Sequence, residues 1–167
     1  MNVAEPTVPL LDEARAAFIQ QRVAVNVASC NAEGVPSLAR AVGCRVSADR
    51  RKVTLFVAVP RAATLLRDLR AGGGVAAVFV RPTSHESIQL KGARAEIVPL
   101  VDGDRDAVQN YAEGFRAEIF QLGYQDPFAS ALAMAIGEDL VGVAFEPTAA
   151  FLQTPGPLAG TRLGGKP

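Results

Sequence analysis

The residues that could do chemistry concentrate in one stretch, Arg61–Gly92, which combines arginines, hydroxyl groups and the one histidine of the sequence. Arg61 and Arg67 flank the start of a short predicted helix that also carries Thr64. A guanidinium makes bidentate hydrogen bonds with phosphate, and a helix N-terminus attracts anions through its free N–H groups. The stretch therefore fits an anion-binding site, although arginines at helical spacing also fit a solvated helix face.

His85 lies in a polar turn after Pro82, and the next predicted strand carries Ser87 and Gln89. An imidazole with an ordinary pKa near ~6.5 suits proton transfer, yet a histidine in a turn is more often a surface residue. No catalytic triad or carboxylate pair stands out, so no catalytic residue is assigned. The acidic residues concentrate in segments 102–106 and 109–118, where a solvated helix face explains them.

The composition argues against several classes of protein. Lysine plus arginine and aspartate plus glutamate number 17 each, so the chain lacks the basic surface typical of nucleic-acid binding. No apolar run approaches the ~20 residues of a membrane-spanning helix, and residues 1–9 lack a signal-peptide pattern. Cys30 and Cys44 fall on strand positions that would not pair, and no CxxC motif is present. We therefore expect no disulfide, no metal site, no membrane partner and a cytoplasmic protein.

Hydrophobic periodicity predicts an α+β protein, with one domain over residues 1–150 and an extended Pro/Gly-rich arm over 151–167. The predicted helices are Leu10–Gln21, Ala62–Ala71, Asp102–Leu122 and one opening at Asp126-Pro127, and the predicted strands lie at 23–27, 38–46, Val53–Val59, Val75–Val80, Glu86–Val98 and Leu140–Phe145. Val75–Val80 is apolar throughout, which predicts a central strand buried on both faces. Gly92 predicts a bend within one long strand. Tyr111 and Phe115 are assigned to the core face of their helix.

Five segments of the chain, in this order and spacing, resemble the flavin-binding split barrel of the pyridoxamine 5′-phosphate oxidase-like superfamily. They are NAEGVPSLAR, VTLFVAV, LLRDLRA, VAAVF and SIQLKG, within residues 23 to 98. PSLARAVG, PTSHESIQLKG and QTPGPLAG are similar to a branch described only as oxidase-related. The resemblance implies an antiparallel split β-barrel with flanking helices. It also implies a homodimer with FMN in the groove between the barrels, and an oxidoreductase acting on a small-molecule substrate.

The resemblance assigns the phosphate of FMN to two places in the chain. One is Arg40, on the strand after the first hairpin. The other is a helix-start pair that falls on Thr64 and Leu65, where the family commonly has lysine second. A leucine cannot donate a hydrogen bond, so Arg67 or Arg61 would have to substitute.

The resemblance also assigns contacts with the isoalloxazine ring and the substrate. The backbone of Val57, Ala58 and Val59 would contact the ring. Ser87, with Gln89 one pleat further along, would touch the ring edge. We assign His85 and Gln153 to substrate contact, with the start of the arm docked across the groove of a partner.

Several alternatives stay open. Arg40 could form an interface salt bridge, and Thr64 could simply begin a helix. The chain could be a dimer that stores flavin without turnover, a haem-binding relative with His85 as ligand, or a cofactorless regulatory dimer.

Overall fold

The structure is a computed structural model that describes residues 9–133 and 139–164. This part of the chain forms an α+β fold, as predicted. Its α-helices are α1 (Glu13–Ile19), α2 (Ala63–Arg70), α3 (Asp104–Gln121) and α4 (Phe128–Ala133). Its strands are β1 (Ala24–Cys30), β2 (Pro36–Val46), β3 (Val53–Ala58), β4 (Val75–Val80), β5 (Ser87–Gly92), β6 (Glu96–Val98), β7 (Leu140–Phe145), β8 (Ala149–Leu152) and β9 (Arg162–Leu163).

The strands form one sheet in the order β6-β7-β3-β2-β1-β4-β5-β8-β9, and each neighbouring pair is antiparallel. The sheet curls so far that the end of β5 reaches β7. A Cβ added at Gly92 would lie 2.8 Å from Cδ2 of Phe145 and 3.0 Å from Cγ1 of Val75. Within the described residues, hydrogen bonds do not close the sheet, and β6 and β9 form its edges.

Most of the core lies on the concave face of the sheet, and α3 buries a second, smaller layer with Phe56 on the convex face. In β4 the inward residues Val75, Ala77 and Phe79 are buried, whereas Ala76, Val78 and Val80 are only half-buried on the other face. The prediction of burial on both faces was therefore wrong. Helix α2 covers the concave side with three buried leucines, Leu65, Leu66 and Leu69.

The strand predicted over Glu86–Val98 is two strands. The glycine at the end of β5 packs against Phe145, so the chain leaves the sheet at residues 93–95. It returns as β6, which pairs with β7 on the far side of the sheet, with Glu96 opposite Ala144. The bend expected at Gly92 is thus a complete break.

The C-terminal segment is more ordered than the predicted extended arm. Phe151 and Leu152 belong to β8, which pairs with β5, and Arg162–Leu163 forms β9. None of the helices in the described residues has both the length and the apolar composition to cross a bilayer.

Candidate cofactor site

One row of side chains crosses the convex face of the sheet from strand to strand. Its members face each other across four strand pairs: Arg40, Asn26, Val78, Gln89 and Phe151. We call them the outer row. Neighbouring strands lie ~4.8 Å apart, so the positions of the arginine and the glutamine are separated by about 14 Å. The row therefore begins at the cationic Arg40 and ends at Gln89 and Phe151, with Asn26 and Val78 between.

Arg40, at the cationic end, lacks partners for a buried charge. Its Nε and Nη2 atoms are buried and find no hydrogen-bond acceptor among the described residues. Its guanidinium carbon lies 4.5 Å from the centroid of the Phe115 ring, a cation–π contact. Burying an unpaired charge is costly, because no protein group replaces the lost hydration. The residue as a whole is half-buried, so the site still reaches solvent. An anion is the partner that such a group requires.

Helix α3 lies across β2 and covers this end of the outer row. Near its start, Asp104 is buried and lies 3.3 Å from Nε of Arg45. Near its end, the buried Glu118 accepts a hydrogen bond from Thr83 Oγ1 at 2.5 Å and lies 3.9 Å from Arg22. Ion pairs at both ends thus fix where the middle of the helix meets the sheet.

Gly43 allows this close approach. It has a φ of 124°, in a bulge where the β2–β3 register shifts between Ala41 and Cys44. A Cβ added there would lie 3.2 Å from Cβ of Tyr111. The glycine therefore meets two needs, a backbone conformation that L-residues rarely adopt and room for α3.

Tyr111 brings a second unpaired polar group to the same place. Its hydroxyl is buried and has no hydrogen-bond partner of acceptable geometry among the described residues. Burial raises the pKa of Tyr111, and the nearby Arg40 charge opposes that rise. Sequence reasoning missed this residue as a site candidate. One feature of the sequence could have indicated it: a tyrosine on the core face of a helix buries a hydroxyl that needs a hydrogen-bond partner.

The predicted phosphate contacts at the start of α2 face solvent. Thr64 is exposed and makes no capping hydrogen bond. Arg67 is ion-paired at 3.2 Å with the neighbouring Asp68, and its side chain is 69% exposed. Leu65 is buried in the core. In the described part of the chain, no hydrogen bond or ion pair joins Thr64 or Arg67 to Arg40.

The backbone predicted to contact the ring lies at the end of β3. Val57 and Ala58 are buried and paired with β7, and Val57 also pairs with β2. The N–H of Val59 donates to the Asp139 carbonyl at 2.8 Å. Few backbone groups are free at this point, and a ring contact here stays a prediction.

The residues predicted for the ring edge and the substrate meet where β5 and β8 adjoin. Gln153 Nε2 donates to Gln89 Oε1 at 3.3 Å. The Ser87 N–H donates to Thr154 Oγ1 at 3.0 Å, and Ser87 Oγ donates to the His85 carbonyl at 2.7 Å. The start of the predicted arm is therefore docked on β5. His85 itself is exposed, in a turn with a φ of 58°.

Neither a metal site nor a disulfide is found in the described residues. They contain no group of three or more His, Cys, Asp or Glu side chains able to hold a metal ion. Cys30 is free and exposed, and Cys44 is free and buried.

Comparison with known proteins reveals similarity in structure only. No protein-family model and no curated protein matches the sequence. HupZ from Group A Streptococcus is 16% identical, with a TM-score of 0.54 over 90% of this chain and 99% of HupZ. A candidate pyridoxamine 5′-phosphate oxidase from Lactobacillus delbrueckii is 17% identical, with a TM-score of 0.53 over 84% and 93%. An F420 reductase is 16% identical, with a TM-score of 0.52 over 84% and 98%.

These similarities establish the fold. The fold is therefore similar to that of a structure described as a candidate pyridoxamine 5′-phosphate oxidase, the family that the sequence resembles. At such low identity the comparisons do not assign a substrate, a cofactor or site residues to this chain.

Proposed function

We propose that the chain binds FMN along the outer row and acts as a flavin-dependent oxidoreductase related to pyridoxamine 5′-phosphate oxidase. The observation that carries the proposal is the unpaired guanidinium of Arg40. A phosphate supplies the negative charge and the acceptor oxygens that its Nε and Nη2 lack. When bound, FMN would supply the electron transfer, so the protein needs only to position and polarise it.

Of the other predicted residues, Gln89 and Ser87 lie on the same face, whereas Thr64 and Arg67 are on α2, which covers the concave side. Gln89 lies three strand spacings, about 14 Å, from Arg40. It is hydrogen-bonded to Gln153, and both amide groups face the place where the edge of a flavin ring would lie. Ser87 holds the arm through its backbone. Thr64 and Arg67 are exposed and could reach a phosphate only from the solvent side of α2.

The proposed groove is completed by a second copy of the chain. The convex face at β1, β2 and β4 carries Leu38, which is 67% exposed, beside half-buried Ala28, Ala76 and Val78. A sheet face of small and apolar residues packs well against another protein surface. A homodimer through this face would cover the outer row and leave a cleft for a planar cofactor and a small-molecule substrate.

The absorbance spectrum of the purified protein, followed by titration with FMN, tests the proposal. We expect a flavin spectrum, or binding of added FMN that quenches its fluorescence. Hydrogen bonds to charged groups contribute about 1.5–3 kcal/mol, so Arg40→Ala should weaken FMN binding about 10- to 100-fold. Arg105→Ala, which removes an exposed arginine of α3, is the matched control and should leave FMN affinity unchanged.

Three outcomes would overturn parts of the proposal. A colourless protein that ignores added FMN excludes flavin binding. Unchanged FMN affinity in Arg40→Ala means that the phosphate binds elsewhere. A Soret band lost in His85→Ala would instead establish the haem alternative.

A further inference from the structure

We propose that the Tyr111 hydroxyl is the second donor of the anion site at Arg40, in the role that Leu65 cannot fill. The proposal rests on the proposed function for the nature of the ligand, a phosphate-bearing cofactor. It goes beyond that function by placing one wall of the site on α3, a helix that the sequence analysis assigned to the core.

The geometry of α3 brings the two polar groups together. The Tyr111 and Phe115 rings stack one turn apart, with centroids 5.9 Å apart and planes inclined by 7°. The Arg40 guanidinium lies over the Phe115 ring, on the side of the helix that both rings share. The Arg40 charge also opposes the rise that burial causes in the pKa of Tyr111, so the guanidinium and the tyrosine hydroxyl lie near one another between β2 and α3.

The polar atoms of Arg40 and Tyr111 that lack hydrogen-bond partners indicate which kind of ligand binds between these two side chains. Two guanidinium nitrogens and the phenolic oxygen are buried and make no hydrogen bond of good geometry within the described residues, although the Arg40 and Tyr111 side chains interact. An oxyanion can accept from an N–H of Arg40 and from the O–H of Tyr111 at once, and it also neutralises the charge. A bond between arginine and tyrosine alone would leave the charge uncompensated.

The site is pre-arranged and has an open side. The ion pairs of Asp104 and Glu118 hold α3 on the sheet from both ends, so the hydroxyl is positioned before a ligand arrives. Asn26 lies directly opposite Arg40 on β1 and is exposed. A phosphate can therefore approach along β1 while the rest of the cofactor extends over the outer row.

The Tyr111→Phe variant tests the proposal, because it removes the oxygen and keeps the ring. The affinities of wild type and variant for FMN and for riboflavin, which lacks the phosphate, are measured by fluorescence quenching. We expect Tyr111→Phe to weaken FMN binding about 10-fold and to leave riboflavin binding unchanged, since a hydrogen bond to a charged group is lost. Tyr124→Phe, at an exposed tyrosine, is the matched control and should change neither affinity.

Thermal melting with and without inorganic phosphate separates this proposal from the assignment of FMN. We expect phosphate to raise the melting temperature of wild type more than that of Tyr111→Phe at the same phosphate concentration. The ligand-free variant should melt no lower than wild type, because an unpaired buried oxygen contributes nothing to stability.

Equal weakening of FMN and riboflavin, or a lower melting temperature of ligand-free Tyr111→Phe, would show a structural role and overturn the proposal. So would the absence of phosphate stabilisation in wild type. Phosphate stabilisation that depends on Tyr111 in a protein that ignores FMN would support the anion site and overturn only the flavin assignment.

Discussion

Some buried polar side chains of this protein have a hydrogen-bond partner, and others have none. Cys44 and Glu118 have partners within the protein. Ser29 and Ser37, opposite each other on β1 and β2, have buried hydroxyls without partners. They are neutral, so the cost of leaving them unpaired is modest. Arg40 and Arg81 carry full charges, and each lies over an aromatic ring. Arg40 has two buried nitrogens without a partner, Nε and Nη2, whereas Arg81 has one, and this difference makes Arg40 the functional candidate.

Cys44 illustrates a buried group without a chemical role. Its thiol donates to the Ile19 carbonyl at 3.1 Å, and burial raises its pKa strongly. In a Cys30→Ser variant we expect the remaining thiol to resist a thiol reagent until the protein unfolds, because the thiolate is the reactive form. Rapid labelling of the folded variant would contradict this.

The same pKa shift predicts how stability depends on pH. Above about pH 8.5 the thiol of the unfolded chain loses its proton while the folded Cys44 keeps it, so the free energy of unfolding falls as the pH rises. The urea midpoint of wild type should decline more steeply from pH 8 to 10 than that of Cys44→Ala. Parallel declines would show that the thiol is not responsible.

Among the helices and strands, α3 contributes most to the candidate site, and contacts at both of its ends hold it in place. Arg22 precedes β1, Arg45 lies near the end of β2, and Thr83 comes from the turn after β4. The helix is therefore fixed by contacts distant from it in the sequence. Helical periodicity predicts that a helix is present, but it does not show which strand the helix will cross.

We expect Thr83→Val to destabilise the protein by about 1–3 kcal/mol, since the buried Glu118 carboxylate would lose a hydrogen bond. Chemical denaturation measures the change. Thr64→Val makes the same substitution at an exposed threonine and should stay within about 0.5 kcal/mol. Equal effects in both variants would indicate that the contact with α3 contributes little.

At the scale of the whole molecule, the convex face of the sheet is unevenly covered. Helix α3 covers the part near Arg40, while Leu38 and the small residues beside it remain accessible. A curled sheet with one exposed apolar face leaves room for a partner, and the proposed homodimer places a second copy there.

We expect wild type to be a dimer by light scattering, and Leu38→Lys to be a monomer, because a lysine ammonium loses hydration when it is buried between two copies. Leu158→Lys is the control, since Leu158 is 65% exposed on the C-terminal segment outside the convex face. A monomeric wild type, or a dimer that tolerates Leu38→Lys, would contradict this interface. FMN binding should weaken together with dimerisation.

Local sequence patterns determined most of the secondary structure. Helix α2, the turn at Asn31–Gly34 and the strands around them follow from periodicity, glycine and hydrogen bonding by side chains. The contact between Gln89 and Gln153 was not predicted, since the start of the arm was expected across the groove of a partner. Their hydrogen bond needed the pairing of β5 with β8, which no local pattern specifies.

The sequence by itself determined the α+β composition and marked Arg40 as a candidate, because residue type and spacing are local properties. Only the tertiary structure decided that this arginine lacks a partner, that Leu65 faces the core and that Tyr111 brings an unpaired hydroxyl beside it. These facts depend on which helix packs on which strand. That packing is set by burial and by ion pairs between residues distant in the chain, so it is absent from any short stretch of sequence.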